Sequence, residues 1–144
     1  MSENREICDE FGPSIRTQVG KLCLTGLPDS GSVSSLISLE LFQKMWREDP
    51  NISLMRTDCT RVTASGQSFE IVGQVKVTLK IQRLSRSWGF LVSKILRSKR
   101  ILGADFIAKT KLVLELGSSR CYFAFVPSVY IKFIKDKAHP FFPN

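Results

Sequence analysis

The strict alternation of residues 74–81 is the feature that most constrains the fold of this chain. Apolar side chains take every second position, and Lys76, Thr78 and Lys80 lie between them. Because successive side chains of a β-strand point to opposite faces, the pattern predicts an antiparallel strand with one buried and one solvated face. The apolar positions are Val75, Val77, Leu79 and Ile81.

Two hairpins are predicted around short turns. Residues 61–63 and 69–72 are rich in β-formers and flank Ala64-Ser65-Gly66-Gln67, whose glycine suits a tight turn. Residues 111–116 and 121–126 flank Gly117-Ser118-Ser119 in the same way. Further short strands are predicted for residues 19–27, 88–92 and 101–103.

Helical patterns are short and few. Ser38 can cap a helix in which Leu41, Phe42, Met45 and Trp46 recur at helical spacing, and residues 104–109 have room for one more short helix. Many short strands with one or two short helices predict a mainly β fold, a compact and closed barrel-like domain.

The 144 residues correspond to one domain with short tails. Residues 1–17 are polar and lack periodicity, so they are predicted to form an N-terminal arm. The domain is predicted to span residues 18–126. Residues 127–144 form a basic, Phe-rich C-terminal tail.

The net charge of +8 is unevenly distributed. No acidic residue lies between Glu70 and Asp105, and Lys and Arg recur through residues 76–100. A solvated basic face is the simpler interpretation, and weak association with nucleic acid through residues 76–100 is the alternative. The longest apolar run is too short to span a membrane, so no membrane association is expected.

Several kinds of catalytic and metal site are excluded by the residue types. The single histidine, His139, lies in the tail beside Pro140, where it cannot serve a Ser–His or Cys–His pair. There is no phosphate-binding glycine loop and no dinucleotide fingerprint. The four cysteines are too widely spaced for a zinc site, and without a secretory signal they are expected to be reduced and buried. No metal or cofactor is predicted.

One remaining segment can carry chemistry: Asp29-Ser30-Gly31-Ser32. By itself, an Asp-Ser-Gly triplet is also typical of an ordinary β-turn. Its context is more specific. It follows an apolar strand and precedes residues 33–37, whose side chains change from small to apolar. The Gly66 hairpin comes later in the chain, and after it the segment Ile101-Leu102-Gly103-Ala104-Asp105-Phe106.

This order of motifs resembles the retropepsins, the retroviral-type aspartic proteases, and most of all those of long-terminal-repeat retrotransposons. The resemblance covers about residues 18–126. It implies an aspartic endopeptidase that acts as a homodimer and processes a polyprotein. The implied location is the cytoplasm, with retroelement particles as one setting. Pro28 departs from the family pattern, in which an apolar residue with a free N–H precedes the aspartate.

The resemblance also implies residue roles. Asp29 is the catalytic carboxylate of a loop that continues through Ser30, Gly31 and Ser32. The hydroxyl of Ser30 joins the two loops across the dimer, and Gly31 lets the substrate backbone approach closely. Ala64, Ser65 and Gly66 form the flap that covers the peptide. Ile101, Leu102 and Gly103 form the segment that packs beneath the catalytic loop.

The chain carries half of such a site. Peptide hydrolysis by this route needs two carboxylates around one water, and the sequence has a single Asp-Ser-Gly. A C2 homodimer in which Asp29 meets the partner's Asp29 supplies the second. Two alternatives are an inactive retropepsin-like module for dimerisation or peptide binding, and a nucleic-acid-associated domain.

Overall fold

The computed structural model describes residues 13–64, 66–94, 96 and 100–134 of the chain. These residues include ten β-strands and two α-helices. The strands are β1 (Ile15–Val19), β2 (Leu22–Pro28), β3 (Leu36–Ser38), β4 (Arg61–Ala64), β5 (Gln67–Ile81), β6 (Leu84–Ser93), β7 (Arg100–Leu102), β8 (Leu112–Glu115), β9 (Arg120–Phe123) and β10 (Ile131–Lys132). The helices are α1 (Leu39–Glu48) and α2 (Ala104–Thr110), and residues Leu116–Ser118 form a 3-10 turn.

Six strands close into a barrel. Their order is β1-β2-β7-β3-β6-β5, and β5 pairs back onto β1 through Gln18 with Lys80 and Val19 with Leu79. Strands β8, β9 and β10 form a separate three-stranded sheet. The predicted mainly β, closed barrel with one or two short helices is therefore confirmed.

The alternation of residues 74–81 forms one wall of the barrel. The four apolar side chains of this segment are buried, and Lys76, Thr78 and Lys80 point to solvent. Burial of an aliphatic side chain of this size contributes about 1.5–3 kcal/mol, so this wall contributes substantially to stability. Inside the barrel, the ring of Trp88 meets the ring of Phe106 edge to face at 5.2 Å.

The position of β7 between β2 and β3 determines the path of the chain at one end of the barrel. Strand β7 runs parallel to β2 and antiparallel to β3. The chain leaves β2 at Pro28 and enters β3 at Leu36, so the connecting residues 29–35 must cross over the end of β7. The predicted catalytic loop is this crossing.

Helix α1 begins where the sequence predicts. Ser38 caps it, and its Oγ accepts a hydrogen bond from the N–H of Leu41 at 3.0 Å. The helix buries Leu41, Phe42 and Met45 against the barrel, whereas Trp46 is half exposed although its spacing groups it with them.

Both ends of the folded region extend beyond the predicted domain limits of 18 and 126. Strand β1 starts at Ile15, which is fully buried, and Ile131 and Phe133 are buried as well. The two ends meet, because the N–H of Ile134 donates to the carbonyl of Ser14 at 2.8 Å. These segments are too short for their periodicity to stand out in the sequence.

The environments of the cysteines differ. Cys121 is buried and its thiol pKa is raised to about 11 by desolvation, so it stays protonated. Cys23 is exposed on the outer face of β2, so the expectation of burial is wrong there. Cys59 is intermediate, and Cys8 lies outside the described residues.

Within the residues described above, neither helix is long and apolar enough to cross a membrane.

Candidate active site

The crossing loop is attached to β7 at its first residue. The N–H of Asp29 donates to the carbonyl of Leu102 at 2.9 Å, which continues the pairing of β2 with β7. Asp29 is therefore positioned by the barrel rather than by a free loop.

Pro28 fits this position without the loss of a ladder bond. Backbone N–H groups alternate in direction along a strand, so the nitrogen of Pro28 faces the β1 side while that of Asp29 faces β7. The pairing of β1 with β2 ends at Ile15 and Gly26. The described part of β1 therefore has no carbonyl opposite position 28, so a proline there loses no hydrogen bond to β1.

The Asp29 carboxylate is oriented by its own loop. Its Oδ1 accepts a hydrogen bond from the N–H of Gly31 at 2.9 Å, and the Asp29 carbonyl accepts one from the N–H of Ser32 at 3.1 Å. Asp29 is partly exposed, and Ser30 and Gly31 are exposed. The carboxylate therefore lies at the surface of the barrel end, where another molecule can reach it.

Ser32 ties the loop to the start of α2. It is fully buried, and its Oγ donates to the carbonyl of Ser34 at 2.7 Å. Its own carbonyl accepts the N–H of Ala104 at 2.6 Å, and the carbonyl of Val33 accepts the N–H of Asp105 at 3.1 Å. Two loop carbonyls are thereby bonded to the first N–H groups of the helix.

Gly103 lies directly beneath the loop. A Cβ at this position would lie 2.5 Å from the carbonyl oxygen of Ser34 and 2.8 Å from that of Ser32. Both are backbone atoms, so no side-chain rotation could relieve the contact. Glycine is required here by the closeness of two backbone segments.

Sequence reasoning missed the clamp formed by Ser35 and Asp105. The Asp105 carboxylate accepts the hydroxyl of Ser35 at 2.8 Å, the N–H of Ser35 at 3.2 Å and the N–H of Phe106 at 2.7 Å. The Oγ of Ser35 in turn accepts the N–H of Gly103 at 3.0 Å. The one available signal was an aspartate directly after Gly103-Ala104, in the first turn of a helix.

The β4–β5 hairpin reaches the loop. Ala64 pairs with Gln67 across the turn and also forms an isolated bridge with Ser32, and it is buried at that contact. Gly66 is exposed at the tip with φ of +80°, a conformation that favours glycine. Ser65 lies outside the described residues.

The hairpin leaves the barrel at an irregularity in β5. The register shifts between Ile71 and Gly73, and a Cβ at Gly73 would lie 2.7 Å from the side chain of Leu54. Met55 and Gln74 exchange two backbone hydrogen bonds of 2.8 and 2.9 Å beside it. The base of the hairpin is thus fixed, while Gly66 at its tip is exposed.

The structure brings together Asp29, Ser32, Ala64, Leu102 and Gly103. The described residues contribute one Asp29 carboxylate to this site, and among them no three Asp, Glu, Cys or His side chains cluster in a way that could hold a metal ion. The arrangement is a carboxylate at the open end of a barrel, adjacent to a hairpin.

This architecture is shared with solved proteases. The retroviral protease-like domain of Ddi1 from Leishmania major superposes with a TM-score of 0.65 at 11% sequence identity, covering 90% of this chain and 98% of that domain. This chain has the retropepsin fold. The fold is also that of the EIAV protease in complex with an inhibitor, with a TM-score of 0.56, 19% identity and coverage of 72% and 92%.

A retropepsin-like aspartic protease from Rickettsia conorii is similar as well, with a TM-score of 0.51, 16% identity and coverage of 72% of this chain and 76% of that one. At such identities the likeness establishes the fold. No protein-family model matches the chain, and no curated protein matches it in sequence.

Gly103→Ala should destabilise the protein by about 1–3 kcal/mol, because the added methyl group meets two backbone carbonyls that cannot move independently. The free energy of unfolding, measured by urea denaturation, tests this. Gly117→Ala is the matched control: a Cβ there meets nothing within 4 Å. Equal stability of the two variants would contradict the close approach of loop and Gly103.

Asp105→Asn should cost about 1–2 kcal/mol of stability, because the amide group places N–H donors opposite the N–H of Ser35. Thermal unfolding measures the loss. Asp58→Asn removes an exposed carboxylate elsewhere and should change stability by less than about 0.5 kcal/mol. An Asp105→Asn protein as stable as the control would show that the clamp does not hold the loop.

Proposed function

We propose that the chain is an aspartic endopeptidase that acts as a C2 homodimer, with Asp29 and the Asp29 of a second copy around one water molecule. The observation that carries this proposal is the attachment of Asp29. The backbone of Asp29 is bonded to β7 through its N–H, and its carboxylate is held by the N–H of Gly31 on a partly exposed residue. The hairpin contacts the loop through Ala64 and Ser32.

The chemistry follows from two carboxylates at short range. Both cannot ionise easily, so the pair shares one proton. The ionised carboxylate takes a proton from the water, which attacks the peptide carbonyl. The protonated carboxylate donates a hydrogen bond to the carbonyl oxygen and stabilises the charge that develops there.

The exposed side of the loop supports a partner copy. Ser30 and Gly31 are exposed next to Asp29, and the apolar side chain of Val33 is 72% exposed. A second loop packed here would bury Val33 and would give the hydroxyl of Ser30 a backbone partner. Gly31, without a Cβ, would leave room for the substrate backbone.

The hairpin supports a peptide as the substrate. Ala64 is anchored at the loop and Gly66 is exposed at the hairpin tip. In the proposed dimer, an extended peptide laid across the two Asp29 residues would lie under this hairpin. Backbone hydrogen bonds from such a hairpin recognise any extended peptide. The resemblance of the motif order to retrotransposon proteases makes a polyprotein the proposed substrate and cytoplasmic retroelement particles the proposed setting.

Asp29→Asn tests the function. The variant keeps the size of the side chain and an oxygen for the N–H of Gly31, so we expect normal folding. We expect hydrolysis of a mixed peptide library between about pH 4 and 7 to fall by at least about a thousandfold, because neither subunit then supplies a carboxylate. Pepstatin should inhibit the unmodified protein.

Asp58→Asn is the control and should retain full activity, because Asp58 is exposed and outside the loop and hairpin. Cleavage that survives Asp29→Asn would refute the proposal. The absence of cleavage by the unmodified dimer throughout this pH range would favour the inactive module instead.

A further inference from the structure

The structure contains a second feature that the proposed catalysis does not use. A groove of about 580 Å³ runs over the outer face of β1 and β2 and reaches β5 and β7. Among the described residues that line it, none belongs to the loop 29–35 or to residues 61–74 of the hairpin. The residues that matter here are Arg16, Gln18, Thr25, Lys80, Gln82 and Arg100.

We propose that this groove binds the phosphodiester backbone of single-stranded nucleic acid. Three cationic side chains converge on it from strands that are distant in sequence, and the proposal depends on their arrangement rather than on net charge. It is independent of the proposed protease activity.

Cross-strand pairing places the cations in one row. Lys80 pairs with Gln18 on β1, and Arg16 pairs with Thr25 on β2. Arg100 of β7 then bonds to Thr25. Neighbouring strands lie about 4.8 Å apart, so β5 and β7 are separated by about 14 Å across the groove. A row of that width exceeds one phosphate group and suits a chain of them.

Arg100 keeps donors for a ligand. Its Nε and Nη2 donate to the carbonyl and the Oγ1 of Thr25, which orients the guanidinium. Three of the five N–H donors of an arginine therefore remain, and no other described residue accepts them. Partial burial lowers the pKa of Arg100, which indicates a charge with reduced hydration that an anion would stabilise.

The described residues of the lining provide no competing negative charge. They include no Asp or Glu, and Arg16, Lys80 and Arg100 form no ion pair with a described carboxylate. The Thr25 hydroxyl and the amides of Gln18 and Gln82 can hydrogen-bond to phosphate or sugar oxygens. Arg100 is half-buried and has no counter-ion among the described residues, which is unusual in a folded domain, and a phosphate oxygen is a suitable partner.

The shape and composition of the groove favour a nucleic-acid backbone over a lipid surface. The site is concave, and the part of its lining that the structure describes includes no exposed large apolar side chain that could enter a bilayer. The described lining residues also include no aromatic side chain on which bases could stack. Binding should therefore depend on phosphates, vary little with base sequence and weaken steeply with salt.

The test uses the full chain and a fluorescently labelled 20-nucleotide uridine RNA, with affinity measured by anisotropy between about 50 and 200 mM KCl. The double variant Arg16→Gln/Lys80→Gln removes two exposed cations that have no described partner. We expect it to bind at least about tenfold more weakly at 50 mM salt. Its slope of log affinity against log salt should be shallower by about 1.4, for two lost phosphate contacts.

The matched control is Lys44→Gln/Arg47→Gln, which removes the same charge from the exposed side of α1. It should weaken binding less than about twofold, since the long-range effect of two charges is screened at these salt concentrations. Asp29→Asn should bind RNA as the unmodified protein does, which separates this result from that of the proposed catalysis.

Three results would overturn the proposal. One is an equal loss of affinity in the two double variants, since net charge alone would then explain binding. Another is the absence of RNA binding at 50 mM salt. The third is binding to vesicles of phosphatidylserine and phosphatidylcholine through Arg16 and Lys80 without binding to RNA, since the ligand would then be a membrane surface.

Discussion

The passage of residues 29–35 over Gly103 is the contact on which the rest of the site depends. Strand β7 separates β2 from β3, so the connection between them has to cross its end, and only a residue without a Cβ fits beneath. The hydrogen bonds of Asp29 to Leu102 and of Ala104 to Ser32 then fix both sides of the crossing. The position of the Asp29 carboxylate is therefore a consequence of strand order.

Local patterns in the sequence predicted most elements, but not β1, β3 or β10, and they did not predict which strands are neighbours. The alternation of residues 74–81 and the Gly66 turn depend on side-chain direction and backbone conformation, which a few residues determine. The closure of β5 onto β1, the insertion of β7 and the clamp between Ser35 and Asp105 join residues far apart in the chain. No periodicity encodes such pairings, and only the motif order pointed to the fold that contains them.

The same limit applies to the charged residues. In sequence the basic residues recur through residues 76–100, and a solvated basic face is the simpler interpretation. In the fold, Lys80 and Arg100 from that stretch lie in a groove with Arg16, which is outside it. A surface of this kind comes from barrel closure, and the loop of Asp29 at the end of β2 is separate from it. One small domain thus presents a carboxylate site and a cationic groove formed by different residues.

The central claim is that one chain carries half of a catalytic site. Co-refolding the unmodified chain with an equal amount of the Asp29→Asn chain tests it most directly, with peptide hydrolysis measured at constant total protein. Random pairing in a C2 dimer leaves about a quarter of the dimers with two carboxylates, so activity should fall to about a quarter of that of the unmodified protein. A fall to only about one half would mean that each chain acts alone, and would contradict the shared site.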